Sequence, residues 1–168
     1  MKKIMSLALF SDPRTQGGIE TFNRNIKQFY LENLKILINH NENKRKIYNV
    51  EGIVELKKET VFFKIMNKIF FNKLREQRVK KIVKIENPDI LIFSLFYELN
   101  ILKIFRSKKI LVQHFNLDKL QIDSHVLEKY LDYFIVLSPY DKEKLQKIIN
   151  LSSAKIKVIR HTLSLIHI

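Results

Sequence analysis

Apolar positions along this chain fall into two alternating patterns: short unbroken runs, and longer stretches in which they recur every three or four residues. Ile4-Met-Ser-Leu-Ala-Leu-Phe10 is a run of the first kind and reads as a buried strand, while Ile19, Phe22, Ile26, Phe29 and Tyr30 follow at helical spacing. The spacing predicts a first helix from Ile19 to about Leu34, with Leu34-Lys-Ile-Leu-Ile38 open as its last turn or as a strand. A polar loop covers residues 39–45, and Lys46 to Val50 is a short strand candidate ahead of Gly52. The longest helical pattern runs from Val61 to Ile85 and carries Phe62, Phe63, Met66, Ile69, Phe70, Leu74, Val79, Ile82 and Val83.

Beyond it the punctuation becomes regular. Asn87-Pro88 ends the helix, and Asp89 to Ser94 contains a continuous apolar run of the kind buried on both faces of a parallel sheet. Leu99 to Phe105 reads as a short helix, Lys109 to Gln113 as a strand, His114 to Asn116 as the loop after it, and residues 117–131 as mostly helical. Tyr133 to Leu137 is another buried strand. Ser138-Pro139-Tyr-Asp141 then has the order of a helix start, with Ser as N-cap, Pro at the first helical position and Asp in the first turn. Lys155 to Ile159 makes one more strand. Strands alternating with helices predict an α/β fold, a doubly wound and mostly parallel sheet that takes ligands at the carboxyl ends of its strands.

Two of the three glycines, Gly17 and Gly18, stand together between the first strand and the first helix. A helix that starts after a glycine turn presents free N–H groups and a positive dipole end, and glycines admit a phosphate close to the backbone. The alternative is an ordinary flexible connection, since the stretch is neither GxGxxG nor GxxxxGK[ST] and so indicates neither dinucleotide nor P-loop chemistry.

Composition changes the picture in one respect. A length of 168 residues with 46% hydrophobic and 29% charged content suits one soluble globular domain, but Lys and Arg number 31 against 17 acids, a formal charge of +14 that favours an anionic partner. Nucleic acid is the least favoured, because no recognised binding motif is present. The basic residues concentrate in the long helical pattern, where Lys64, Lys68, Lys73, Arg75, Arg78, Lys80 and Lys81 are candidates for contact with an anionic membrane surface. The competing reading is a helix that covers the sheet with one face and solvates the other. With no Cys there are no disulfides or thiolate metal sites, which suits a cytoplasmic protein. His40, His114, His125, His161 and His167 lack ligand spacing, so no metal and no cofactor is expected. Lys2-Lys3 with the following apolar run is too short for a signal peptide, and Ile90 to Phe105 is too interrupted to span a bilayer.

Taken together, Gly17-Gly18-Ile-Glu-Thr after the first strand, Val112-Gln-His114 at the end of a middle strand, Leu131 to Ser138 before a helix, and Lys155 to Ile159 resemble the amino-terminal domain of a GT-B retaining family 4 glycosyltransferase. The resemblance implies a Rossmann-like domain over residues 1–162, acceptor-side half of a two-domain enzyme. It implies transfer of a sugar from a nucleotide-diphosphate donor to a glycan or lipid-linked acceptor, with retention and no required metal, in cell-surface glycan or glycolipid synthesis at the inner face of the cell membrane. It further implies Gly17 and Gly18 near the donor diphosphate and His114 near the donor sugar as the catalytic candidate; apart from the family, His114 reads first as a loop histidine satisfied by backbone. Residues 163–168 lie where the interdomain hinge belongs, and Leu163-Ser-Leu-Ile-His-Ile168 has the look of a translated sequencing adapter. The second domain is expected to be needed for activity. The alternative class is a non-catalytic basic module that binds an acidic membrane surface or supports a full-length transferase.

Overall fold

Seven of the short apolar runs form one sheet in the computed structural model, which describes residues 2–9, 11–30, 33–39, 46–70, 73–93, 103–113, 124–148 and 151–159. The strands are β1 (Ile4–Leu7), β2 (Leu34–Ile38), β3 (Ile53–Glu55), β4 (Ile90–Phe93), β5 (Lys108–Val112), β6 (Tyr133–Val136) and β7 (Ile156–Val158). Every pairing is parallel, in the order β3-β2-β1-β4-β5-β6-β7, with Ile4 opposite both Leu34 and Ile90. Alternate side chains of β1 serve opposite layers, as strand geometry requires. Met5 and Leu7 join Leu91, Phe93, Leu111 and Phe134 in the larger core, together with Val79 and Val83. Ala8 joins Leu34, Ile36 and Ile38 in a second, smaller cluster on the other face, packed by Ile26.

Helices α1 (Gly18–Asn25), α2 (Val61–Ile69), α3 (Lys73–Glu86), α4 (Ser124–Tyr130) and α5 (Pro139–Ile148) connect the strands. The first expected helix is shorter than its pattern: α1 passes into a π turn at Ile26–Tyr30, and Leu34 to Ile38 is a strand. The strand expected at Lys46 to Val50 begins after Gly52 instead. Gly52 has φ of 71°, and its carbonyl accepts from Ile36 N at 3.0 Å, which brings the chain into register beside β2. Ser138 caps α5 as its sequence implied, accepting from Asp141 N at 3.0 Å and donating to Asp141 Oδ2 at 2.6 Å. Asn87 closes α3 at φ of 44°, a left-handed position that Asn tolerates, just before Pro88. The expected helix at Leu99 to Phe105 and the loop at His114 to Asn116 lie largely or wholly outside the described residues.

The long pattern from Val61 to Ile85 is two helices, and their apolar residues go to different places. Val79 and Val83 of α3 are fully buried, whereas Val61, Phe62, Ile65 and Ile69 of α2 face outward. The two are stapled by Arg75, whose Nε and Nη2 donate to Glu59 Oε1 and Oε2 at 2.8 Å each, and by the Arg78 guanidinium 3.5 Å from the centroid of Phe63. The Arg75 hydrogen bonds hold the Glu59 carboxyl below its usual range against the opposing effect of burial. A carboxylate whose folded pKa is lowered adds stability above its unfolded pKa and loses it as pH falls through the folded one. Two outcomes are expected. Phe93→Ala, on a central strand and fully buried, should lower unfolding free energy by about 3–5 kcal/mol in urea titrations. Stability should also decline as pH drops below about 4.3, and Glu59→Gln should flatten that part of the pH profile.

Candidate functional site

Strand order reverses direction at β1 and β4, the switch point at whose carboxyl edge open α/β sheets form their ligand crevice. The loop after β1 enters that crevice. Its shape comes from Asp12, which is 5% exposed: Asp12 Oδ1 accepts from Arg14 N at 3.0 Å, and its carbonyl accepts from Thr15 N and Thr15 Oγ1, both at 2.9 Å. The Arg14 guanidinium doubles back onto the same carboxylate, Nε to Oδ1 at 2.9 Å and Nη2 to Oδ2 at 2.7 Å, and also pairs with Glu55 at the end of β3. Hydrogen bonding to Asp12, then to Glu55, raises the Arg14 pKa over the opposing effect of burial, so this side chain is a permanent cation. Arg14 also offers its carbonyl to the amides of Ile47 and Tyr48 at 2.8 and 3.1 Å, which is what residues 46–50 do in place of forming a strand.

A second layer holds the start of α1. Arg24 Nη1 donates to the carbonyl of Pro13 at 2.9 Å, Nη2 donates to Thr21 Oγ1 at 3.1 Å, and the guanidinium stacks 3.7 Å from the Tyr48 ring centroid. Asn23, 2% exposed, accepts from Ser6 Oγ at 3.1 Å and donates to Ser11 Oγ at 3.3 Å, tying α1 to strand and loop. Pattern reading singled out none of Asp12, Arg14, Glu55, Arg24 and Asn23. The one local signal was Asp12-Pro13, a turn-initiating pair.

Gly17 is the N-cap of α1, at φ of 155° and ψ of 164°, a region open essentially to glycine alone. Its carbonyl accepts the first helical bond from Thr21 N at 2.9 Å. A Cβ there would lie 2.2 Å from Glu20 Oε2, because the Glu20 carboxylate folds back over the Gly17 backbone. Glu20 is thus a buried first-turn residue, favourable at a positive helix end. Gly18 is the first residue of α1 itself.

On the other side of the crevice β5 ends at Val112, and Gln113 extends it by donating its amide to the Ile135 carbonyl at 2.9 Å. Gln113 is 6% exposed and its Nε2 reaches Asp141 Oδ1 of the α5 cap at 3.5 Å. β5 lies two strand spacings, about 10 Å, from β1, so the glycine loop and the end of β5 share one edge of the sheet. His114, the next residue, lies outside the described residues, as do residues 163–168. The basic candidates scatter. Lys64, Lys68, Lys73 and Lys81 are exposed, while Arg75 and Arg78 make the α2–α3 contacts and Lys80 lies 3.8 Å from Glu76.

A cavity of about 510 Å³ opens at the opposite, amino edge, between Phe105, Arg106, Lys129, Tyr130, Asp132 and Lys155. Two of its cations are engaged structurally: Lys109 Nζ, with its pKa lowered by burial, donates to the carbonyls of Phe105 and Ser107 at 2.7 and 3.0 Å, and Lys155 pairs with Glu128 at 3.3 Å.

No protein-family model matches the sequence, and no curated protein does. Solved structures do match in fold. The lipopolysaccharide outer core galactosyltransferase WaaB in its apo form superposes with a TM-score of 0.69 at 18% identity, over 95% of this chain and 45% of that one. Sucrose-phosphate synthase from Thermosynechococcus elongatus superposes with a TM-score of 0.68 at 12% identity, over 95% of this chain and 48% of that one. The chain therefore spans about half the length of these glycosyltransferases, and its fold is that of a Rossmann-like half of the GT-B architecture. Among the described residues no helix is long and apolar enough to cross a membrane.

The geometry around Gly17 generates a test. Gly17→Ala combines a forbidden φ with a clash against Glu20 and should cost on the order of 1–3 kcal/mol in chemical denaturation. Adding Glu20→Ala removes the clash and leaves the backbone strain, so the double variant should recover part of the loss. Full recovery would show that φ at Gly17 is not restrictive.

Proposed function

We propose that this chain is the acceptor-side, amino-terminal half of a nucleotide-sugar-dependent retaining glycosyltransferase of family 4. The observation that carries the reading is the fold match over 95% of the chain to halves of two glycosyltransferases. It is supported by a braced glycine loop at the sheet's switch point, where open α/β folds bind ligands. In this reading the donor diphosphate approaches Gly17 and Gly18 at the start of α1, where N–H groups and the helix dipole stabilise charge building on the leaving group. Arg14 and Arg24 contribute by holding the loop in one shape before the ligand arrives. His114, next after Gln113, hydrogen-bonds the donor sugar, and a second domain supplies the nucleotide site and closes the cleft. The acceptor is a glycan or lipid-linked saccharide, and the reaction takes place on the cytoplasmic side, at the inner face of the cell membrane, in cell-surface glycan or glycolipid synthesis.

One observation favours a second reading. The Glu20 carboxylate already supplies an anion at the start of α1, so a diphosphate has to displace it or approach beside it. A non-catalytic module that keeps this contact permanently, and that binds an acidic membrane surface or supports a full-length transferase, fits that arrangement.

The two readings part in one assay. The isolated chain, incubated with a panel of nucleotide sugars and a membrane extract, is expected to release no nucleotide diphosphate, since half a cleft leaves the donor hydrated and unpositioned. Supplying a nucleotide-sugar domain in cis or trans should switch release on, and His114→Ala should then reduce turnover about 100-fold, the cost typical of losing one well-placed donor. Continued silence with the second domain present favours the non-catalytic module. Donor-dependent, His114-dependent release by the chain alone overturns the half-enzyme reading.

A further inference from the structure

Helix α2 is built inside out. At 100° per residue, Val61, Ile65, Ile69 and Phe62 fall within one arc of about 100°, and Asn67 lies diametrically opposite. A surface helix ordinarily turns its apolar stripe to the core. Here the one fully buried side chain of the helix is polar: Asn67 is 3% exposed, with Phe63 and Met66 half-buried beside it, and its Oδ1 accepts from Arg75 N at 3.0 Å. The apolar arc faces solvent instead, with Val61, Phe62, Ile65 and Ile69 at 75, 72, 55 and 59% exposure, and Phe70 just beyond the helix end at 46%.

The charges around this arc are of one sign. No acidic residue occurs between Thr60 and Arg75, and Lys57, Lys58, Lys64, Lys68 and Lys73 are all exposed. The neighbouring carboxylate, Glu59, is taken up by Arg75. Lys64 and Lys68 fall immediately beside the apolar arc, where cations at an interfacial helix meet lipid headgroups while the apolar residues enter the acyl boundary. A second copy of this chain would bring the same lysines and a further charge of +14 against the face, so self-association is opposed electrostatically. An occupant that is apolar within and anionic at its surface matches both features.

We propose that α2 is a membrane-docking helix, lying in the plane of an anionic lipid surface with Val61, Phe62, Ile65 and Ile69 inserted and Lys64 and Lys68 at the headgroups. The proposal deepens, and rests on, the membrane-side part of the reading above, and it names the element responsible. Arg75 and Arg78 are not lipid ligands in it; they hold α2 against α3. The helix starts six residues after Glu55, the partner of Arg14, so it follows closely on the strand whose carboxyl end is tied to the glycine loop.

The test uses the full 168-residue chain with vesicles of phosphatidylcholine alone or with about one third phosphatidylglycerol. Co-sedimentation should be strong only on the anionic vesicles and should weaken with added salt, because screening shortens the reach of exposed charges. Lys64→Gln/Lys68→Gln should lower the partition coefficient by about 25-fold, at roughly fivefold per cation. Phe62→Asp/Ile65→Asp should lower it by at least about tenfold, while Lys147→Glu on α5 leaves it unchanged. Circular dichroism checks folding. Should the aspartate pair fail to fold, Phe62→Trp decides, since the chain has no other Trp: its emission should shift to the blue on anionic vesicles and be quenched by brominated acyl chains. Anion-dependent binding that survives the α2 variants, or an unquenched Trp, overturns the assignment to α2 but leaves the membrane reading standing. Absence of binding to anionic vesicles overturns that reading as well. A dimer in lipid-free light scattering that Ile65→Asp dissolves would give the face to a second copy and overturn the proposal too.

Discussion

A parallel sheet with apolar residues on both faces must be covered on both, and that requirement organises the molecule. Met5 and Leu7 point into one layer and Ser6 and Ala8 into the other, so α1 must pack on the side opposite α3. Because the chain winds outward from β1 in one direction through β2 and β3 and in the other through β4 to β7, its neighbouring connections part at β1 and β4. The crevice follows from satisfying two cores with one strand, before any residue in it has a functional role.

What fills the edge of that crevice is a polar scaffold rather than an apolar pocket. Asp12, Arg14 and Glu55 form a charge-paired bridge between the loop after β1 and the end of β3, and Arg24 with Asn23 ties the loop to α1. Buried charges hold together only when paired and hydrogen-bonded, and here each carboxylate meets the Arg14 guanidinium directly. Gly17 can therefore adopt a conformation closed to other residues, since its neighbours over-determine the backbone. Glu20 over Gly17 is the electrostatic counterpart of that strain, an internal anion at the positive end of α1.

The basic character divides by helix. On α3 the cations lie outside a helix whose Val79 and Val83 close the core, which is ordinary solvation of an outer face. On α2 the core takes Asn67 and leaves the apolar arc outside. The +14 charge thus has two structural meanings, and a single amphipathic pattern from Val61 to Ile85 merges them.

The alternation of apolar runs with helical spacing was enough to establish the α/β class, the parallel sheet, the strands at β4 to β7 and the capped start of α5. Those features depend on burial periodicity and on local caps, which act within a few residues. It did not settle whether Leu34 to Ile38 was helix or strand, because that run satisfies both patterns and only pairing of Ile4 with Leu34 decides. Nor did it reveal the bracing of the glycine loop, since Asp12, Arg14 and Glu55 meet across separations of up to 41 residues. The orientation of α2 was equally hidden: the sequence determined that the helix has an apolar side, but a helical wheel has no inside. Only the bonding of Asn67 and Glu59 to Arg75 of α3 decided which side meets the protein and which is left for a partner.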